Sequence, residues 1–346
     1  MVAESKTRPF CLYILNRRFH VAALTRRTFL GAAALGTLGV LGGRAVGAVP
    51  SGPDPGPGDT LTIGYVPIAC SSPLLAADAL GAFQRRGLDV RLRRFAGWAD
   101  LWSAYLTGQL HVTHMLSPMA VTPTSRPTSL AYTLNTNGQA VTIASRLHSE
   151  VSGLADLRGR VIGIPFEYSI HSLLLRDQLA AHGVDPVADL ELRLLRPADM
   201  VAQLEVGGID GFIGPEPFNQ RALATGSGRV LHMTKEFWDR HPCCAVAMGE
   251  DWRQAHPDQA LAVTDALAEA SSFLNAPGNH AEAAGMLSRE IYLNQPAALI
   301  SPVLQGAYRN WAGEDVVDPE RIHFGDPTDP AATAWMREQL TRWELA

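Results

Sequence analysis

Between residues 200 and 248 the chain alternates helical and strand signals with hard stops between them, and few folds accommodate that order. Residues 200–206 carry the apolar spacing of a short amphipathic helix. Gly207-Gly208 ends it, because glycine accepts the left-handed backbone of a helix end. Residues 209–213 are a short apolar run, the pattern of a buried strand. Gly214-Pro215-Glu216-Pro217 stops that strand, since two prolines remove ladder donors. The chain therefore turns where the strand's carboxyl end meets solvent, which is where open α/β sheets place their ligands. After one more helix, residues 241–248 bring back a second apolar strand.

The same alternation starts near residue 61. Residues 61–68, 89–95 and 110–115 read as strands, with helices after Pro73 and over 100–106 between them. That is β-α-β, the unit of a parallel sheet with a right-handed crossover. Residues 130–134 read as a short strand, 135–139 as a polar turn and 140–145 as a further strand. Residues 161–164 open a second α/β group, with a helix over 169–182 and a strand over 190–195. Strand 244–248 crosses back, a long helix follows over 257–273, and a tail with Trp311, Trp335 and Trp343 is expected on the outside of the first lobe. The predicted fold class is α/β with two lobes, 60–145 with 246–346, and 146–245. Two crossings, near 143–147 and 241–245, make a hinge, and the cleft between the lobes is the expected ligand site.

The N-terminal segment reads differently. Thr25-Arg26-Arg27-Thr28-Phe29-Leu30 is a twin-arginine pattern, followed by an uncharged Gly/Ala-rich run to Gly43 and a small-residue end at Val46-Gly47-Ala48. This is an export signal over 1–48, cleaved near Ala48. The run is too short to span a membrane, which takes about 20 apolar residues. Residues 49–59, rich in Pro and Gly, are a linker. The segment 1–48 holds seven of the chain's 29 basic residues and one of its 34 acidic ones, which leaves 22 against 33, a net of −11. Such a surface does not suit nucleic acid, and it repels an anion, so local donors must hold any anionic ligand.

The motifs then converge on one family. Ile63–Ile68 as IGYVPI, Gly97-Trp98-Ala99, His114–Met119 as HMLSPM, Asn137-Gly138-Gln139, and the run from Gly208 through Asp210-Gly211-Phe212, Glu216-Pro217-Phe218-Asn219-Gln220-Arg221, Phe237-Trp238 and His241-Pro242 to Ala247-Met248 occur in fixed order. Together they resemble the periplasmic solute-binding proteins of the nitrate/sulfonate/bicarbonate ABC-transporter family, and within it the nitrate and bicarbonate binders most. The similarity extends from about residue 60 to 274. It implies a two-lobe periplasmic-binding-protein-like (type II) fold, capture of a small polar solute by lobe closure, an ABC permease with its ATPase and the twin-arginine export machinery as partners, a periplasmic location, a monomer, no cofactor and no catalysis. Enzymes of the same fold that resemble thiamine-pyrimidine synthesis proteins, and ligand-sensing partner proteins, are the alternatives; export argues against both.

In the nitrate and bicarbonate binders a tryptophan, a glutamine, a histidine at the second-lobe helix and a lysine surround the anion. Trp98, Gln139 and His171 match the first three. Trp98 offers an indole N–H or a flat wall, Gln139 two N–H donors, and His171 sits in a helical first turn, where free N–H groups favour a negative guest. Ser169 caps that helix or donates to the ligand. Ser71 and Glu216, at strand ends, complete the expected set; Glu216 either accepts from a ligand or holds a hinge contact. Where the nitrate binders carry lysine this chain has Cys244, and Lys235 is the only lysine beyond Lys6. The resemblance therefore fixes the fold more than the ligand. Cys70, Cys243 and Cys244, with His171, would suit a soft metal such as Cu(I) or Zn(II). Against that, adjacent cysteines on a strand point to opposite faces, and buried ones pack as small apolar residues. No metal is therefore expected, and a disulfide from Cys70 to one of the pair is the rival.

Overall fold

The computed structural model describes residues 60–326 and 329–345. The export signal, its cleavage point near Ala48, the linker and Cys11 lie outside the described residues. In chain order the first group of elements is β1 (Leu61–Tyr65), α1 (Ser72–Ala79), β2 (Val90–Arg94), α2 (Trp98–Leu106), β3 (Val112–Leu116), the short α3 (Ser117–Val121) and β4 (Thr128–Asn137). A second group follows: β5 (Gln139–Ala144), β6 (Val161–Ile164), α4 (Ile170–Ala181), β7 (Glu191–Leu194), α5 (Pro197–Glu205), β8 (Gly211–Pro215), α6 (Phe218–Thr225) and β9 (Gly228–Met233). The chain then returns through β10 (Pro242–Gly249), α7 (Glu250–Ala255), α8 (Pro257–Asn275), α9 (His280–Leu287), α10 (Ala297–Leu304), β11 (Ala307–Arg309), β12 (Asp315–Val317), β13 (Ile322–Asp326) and α11 (Pro330–Arg342).

These strands make two mixed sheets. One runs β13-β4-β10-β3-β1-β2 and the other β7-β6-β8-β5-β9, with β11 and β12 as a separate pair. Among the described residues, parallel strand ladders join β1 with β2 and β3, and β6 with β7 and β8. Both are the β-α-β units that the apolar periodicity predicts. Every residue of β3 and β10 is buried, so neither alternates between apolar and polar faces.

The crossings differ from expectation. Gln139–Ala144 pairs with β8 and β9 in the second sheet, so the first crossing falls at Gly138 and not near 143–147. Asn137 (φ 56) and Gly138 (φ 86) both take the left-handed conformation there, which redirects a nearly continuous extended chain from one sheet to the other. A Cβ on Gly138 would stand 2.7 Å from Ile322 Cδ1, so glycine is required twice over. β4 is therefore not half of a hairpin, and the polar turn expected at 135–139 is absent. The second crossing lies between β9 and β10. Residues 242–245 consequently belong to the first sheet, since β10 pairs along its length with β4 and β3. The two crossings are tied together: Asn137 N–H donates to His241 O at 3.1 Å, and Arg240 N–H donates to Asn137 Oδ1 at 2.9 Å.

The C-terminal part also departs from a tail on one lobe. α11 packs against both α3 and α4. Trp335 meets Trp238, beside the second crossing, edge to face at 4.8 Å, and Arg342 pairs with Asp177 of α4 at 2.7 Å. Trp311 packs on His148, in the loop after β5, at 4.8 Å. Further contacts join the two sheets' elements. Ala69 N–H donates to Glu216 O at 2.8 Å, and Trp102 of α2 meets Phe166 and Tyr168 edge to face at 5.8 and 5.1 Å. β8 runs two residues past the expected end at 213, because Pro215 still faces Gln139 in the ladder.

Glu216 forms an ion pair with Arg321, and both side chains are fully buried. Arg321 also donates to Ala307 O at 2.6 Å, and Glu216 Oε2 accepts from Gln220 N–H at 3.1 Å. Removing one member of such a pair strands a charge without water, at a cost of about 3–5 kcal/mol. We expect Glu216→Gln to lower unfolding stability by that amount in chemical denaturation, while Arg309→Ala, which breaks an exposed pair with Asp315, leaves the midpoint nearly unchanged. Equal effects of the two substitutions would remove the buried pair's structural role.

Candidate functional site

Four of the helices that follow strands share one feature: the first turn carries a buried side chain whose polar atom has no hydrogen-bond partner. After β1 it is Ser72, the first residue of α1; after β2, Trp98, the first of α2; after β3, Ser117, the first of α3; after β6, His171, the second of α4. All four are buried. Strand and crossing residues add His114 Nε2, Asn135 Oδ1 and His241 Nδ1, also without partners. Leaving a buried polar group unpaired costs about 1–3 kcal/mol, so such groups point to a guest or to water. His171 carries the strongest signal, because both of its ring nitrogens are unpartnered, and a neutral imidazole holds one donor and one acceptor.

Several of these groups lie near one another. Trp98 and His114 rings meet edge to face at 4.9 Å, and His114 Nδ1 accepts from Val66 N–H at 3.3 Å. His171 lies within electrostatic range of His241. Asn135 Nδ2 donates to Asn137 O at 2.9 Å, and Asn135 faces Cys244 across the β4–β10 ladder. Leu116, whose next residue is Ser117, faces Cys244 across the β10–β3 ladder. Trp98, His114 and Ser117 come from the first sheet's elements and His171 from the second's.

The remaining expected residues fare differently. Gln139 is fully buried at the first crossing, but its Nε2 donates to Asn137 O and its Oε1 accepts from Thr234 Oγ1 at 3.4 Å. Ser169 is the cap of α4: its Oγ accepts from Ser172 N–H at 3.0 Å and donates to Phe166 O at 2.6 Å. Ser71 Oγ donates to Ile68 O at 2.8 Å. Glu216 is held by Arg321. Ser71, Ser169 and Glu216 therefore have structural employment, and Glu216 fits the hinge-contact alternative. Cys244 is buried in β10. Sequence reasoning missed Ser72, His114, Ser117, Asn135 and His241. Ser72 is adjacent to Ser71, and His114 and Ser117 lie in a motif already singled out, so the signal was present without a means of telling which side chain faces inward.

No positive charge serves this region from the residues expected to supply it. Lys235 pairs with Asp318 at 2.7 Å, and Arg321 is taken by Glu216. Burial pushes His114 and His171 down to about 3, with His241 adding to the effect on His171, and burial pushes His241 down to about 4. The donors are therefore neutral near pH 7. The first turns of α2 and α4 add the positive ends of two helices. The chemistry is that of a small polar guest held by N–H and O–H groups and helix dipoles.

Comparison with known proteins follows the geometry. Residues 54–288 match the NMT1-like family. The chain is 32% identical over 304 residues to the bicarbonate transport ATP-binding protein CmpC of a Synechocystis strain, covering 82% of this chain and 46% of the relative. It is 30% identical over 257 residues to the nitrate/nitrite binding protein NrtA of a Nostoc strain, covering 68% and 58%. The chain spans about half the length of the curated relatives it matches. The crystal structure of the periplasmic nitrate-binding protein NrtA from Synechocystis PCC 6803 superposes with a TM-score of 0.79 at 24% identity, over 83% of this chain and 82% of that one. That likeness shows the fold, the two-sheet α/β arrangement of a periplasmic binding protein.

Neutral burial of the histidines makes stability depend on pH. The unfolded chain takes up protons as pH falls through about 6.5, whereas folded His114 and His171 do so only near pH 3. Their contribution is whole above the unfolded value and shrinks below it, by about 1.4 kcal/mol per pH unit for each histidine. We expect denaturation free energy to fall between pH 6.5 and 5, above the carboxylate range, and His114→Gln to flatten that slope by about one histidine's share. An unchanged slope in the variant would show that His114 is not held neutral.

Proposed function

Because the chain belongs to the NMT1-like family, we propose that it is the solute-binding component of an ABC importer, exported to the periplasm and closing over one small polar solute. The observation that carries this reading is the set of unpartnered buried groups at the starts of α1, α2, α3 and α4. They come from elements of both sheets, so a single guest completes hydrogen bonds on both sides at once. Such a guest favours the shut arrangement by the contacts it makes only there. The two chain crossings, tied through Asn137 and His241, are the hinge, and the Trp102, Phe166 and Tyr168 rings close the rim.

The solute belongs to the class of nitrate, bicarbonate and sulfonates or is a neutral molecule of similar size. Cys244 in place of a lysine disfavours a guest that needs a full counter-charge, since charge-assisted bonds are worth about 1.5–3 kcal/mol each. The relatives' names support transport and binding rather than catalysis, and support a permease with its ATPase as partners. Export through the twin-arginine route rests on Arg26-Arg27. No described helix is long and apolar enough to cross a membrane.

The test is calorimetry and tryptophan fluorescence on the purified chain with nitrate, bicarbonate, an alkanesulfonate and a small neutral heterocycle. We expect at least one to bind, to change Trp98 emission, and to bind His171→Ala at least tenfold more weakly. A solute that binds His171→Ala as tightly as the parent displaces the site; recovery of the chain only from the cytoplasm displaces the transport role.

A further inference from the structure

Cys70, Cys243 and Cys244 form a compact cluster of sulfur that the solute reading does not use. All three are free and fully buried. Cys70 Sγ lies 3.7 Å from Cys243 Sγ, and Cys243 Sγ lies 3.7 Å from Cys244 Sγ. The three sulfurs all lie within 4.8 Å of one another.

Adjacent residues of a regular strand cannot do this, since they point to opposite faces. β10 is not regular here. Pro242 pairs with Thr136 and Cys244 with Asn135, so Cys243 is the extra residue of a β-bulge. A bulge re-aims the side chains around it, and this one brings both thiols beside Cys70 in the turn between β1 and α1.

The spacing suits a common centre. An ion at about 2.3 Å from each of three sulfurs sets those sulfurs about 4 Å apart in a plane, and slightly less in a pyramid. A disulfide would need them about 2 Å apart, with a particular dihedral. The same separation also fits a thiol hydrogen bond, so the shared protons mark the place an ion takes. Softness follows from the donors, since thiolates select Cu(I) and other polarisable d¹⁰ cations over hard ones.

We propose that Cys70, Cys243 and Cys244 bind one soft monovalent cation of the Cu(I) type. Charge favours a monovalent ion over Zn(II). All three sulfurs are fully buried, and each thiolate formed there loses its hydration, so an ion balanced by one thiolate sits more cheaply than one that needs two. Solute capture is separate: a chain that takes the cation but none of the four solutes keeps this proposal and sinks the other.

Silver(I) is the probe, because it resists oxidation, in chloride-free buffer with the full chain carrying Cys11→Ser and its thiols reduced. Native mass spectrometry and ultraviolet titration should give one ion per chain with a sulfur-to-silver charge-transfer band. Loss of groups that only support metal ligands costs about 10–100-fold, so Cys70→Ser, itself a ligand change, should weaken binding roughly 100-fold or more. No bound silver overturns the site, as do three ions per chain, which would mean independent thiols, or Cys70→Ser binding as tightly as the parent. If circular dichroism shows Cys70→Ser unfolded, the parent's stoichiometry alone decides between these outcomes.

Discussion

Two strands of chain connect the sheets, and they are bound to each other. Asn137 and His241 exchange a backbone hydrogen bond, and Arg240 closes on the Asn137 side chain. Both crossings use left-handed backbone, at Asn137, Gly138 and Arg240, a conformation that costs non-glycine residues roughly 1–3 kcal/mol and persists only where surroundings enforce it. Everything functional is arranged about this knot. Gln139 leaves it for the second sheet, β10 leaves it for the first, and His241, Cys243 and Cys244 lie within a few residues of it.

Around that point the molecule separates two uses of buried polarity. Glu216 and Arg321 pair with each other and fasten the end of β8 to the segment before β13. Ser71 and Ser169 satisfy local backbone. Ser72, Trp98, Ser117 and His171 do not, and each lies in the first turn of a helix that follows a strand. The difference is geometric. A first-turn side chain that folds back on its own loop is a cap; the other four side chains find no such partner. Neutral histidines fit this arrangement, since burial without a counter-charge leaves the uncharged imidazole as the cheaper form.

The C-terminal segment makes the two-lobe description less simple than a linear reading suggests. α11 touches both α3 and α4, Trp311 lies on His148, and Arg321 reaches Glu216. Sequence patterns mark these tryptophans as buried faces but carry no information on which partner they bury against. The same limit explains Glu216: two flanking prolines reveal a rigid position, and only the fold shows that an arginine more than a hundred residues away occupies it.

The sequence determined the alternation of strands and helices and the β-α-β pattern of the first group, because apolar period and glycine stops are local and survive without a partner. It singled out Trp98 and His171 by resemblance, and it placed His171 in the first turn of a helix. Tertiary structure decided where the chain crosses, since a one-residue link at Gly138 looks like a hairpin turn until β5 is seen pairing with β8. It decided which polar groups stay unpaired, because Ser71 and Ser72 differ only in direction. And it decided that Cys243 and Cys244 face one centre, because a bulge arises from how β10 meets β4 and leaves no mark on the residues that form it.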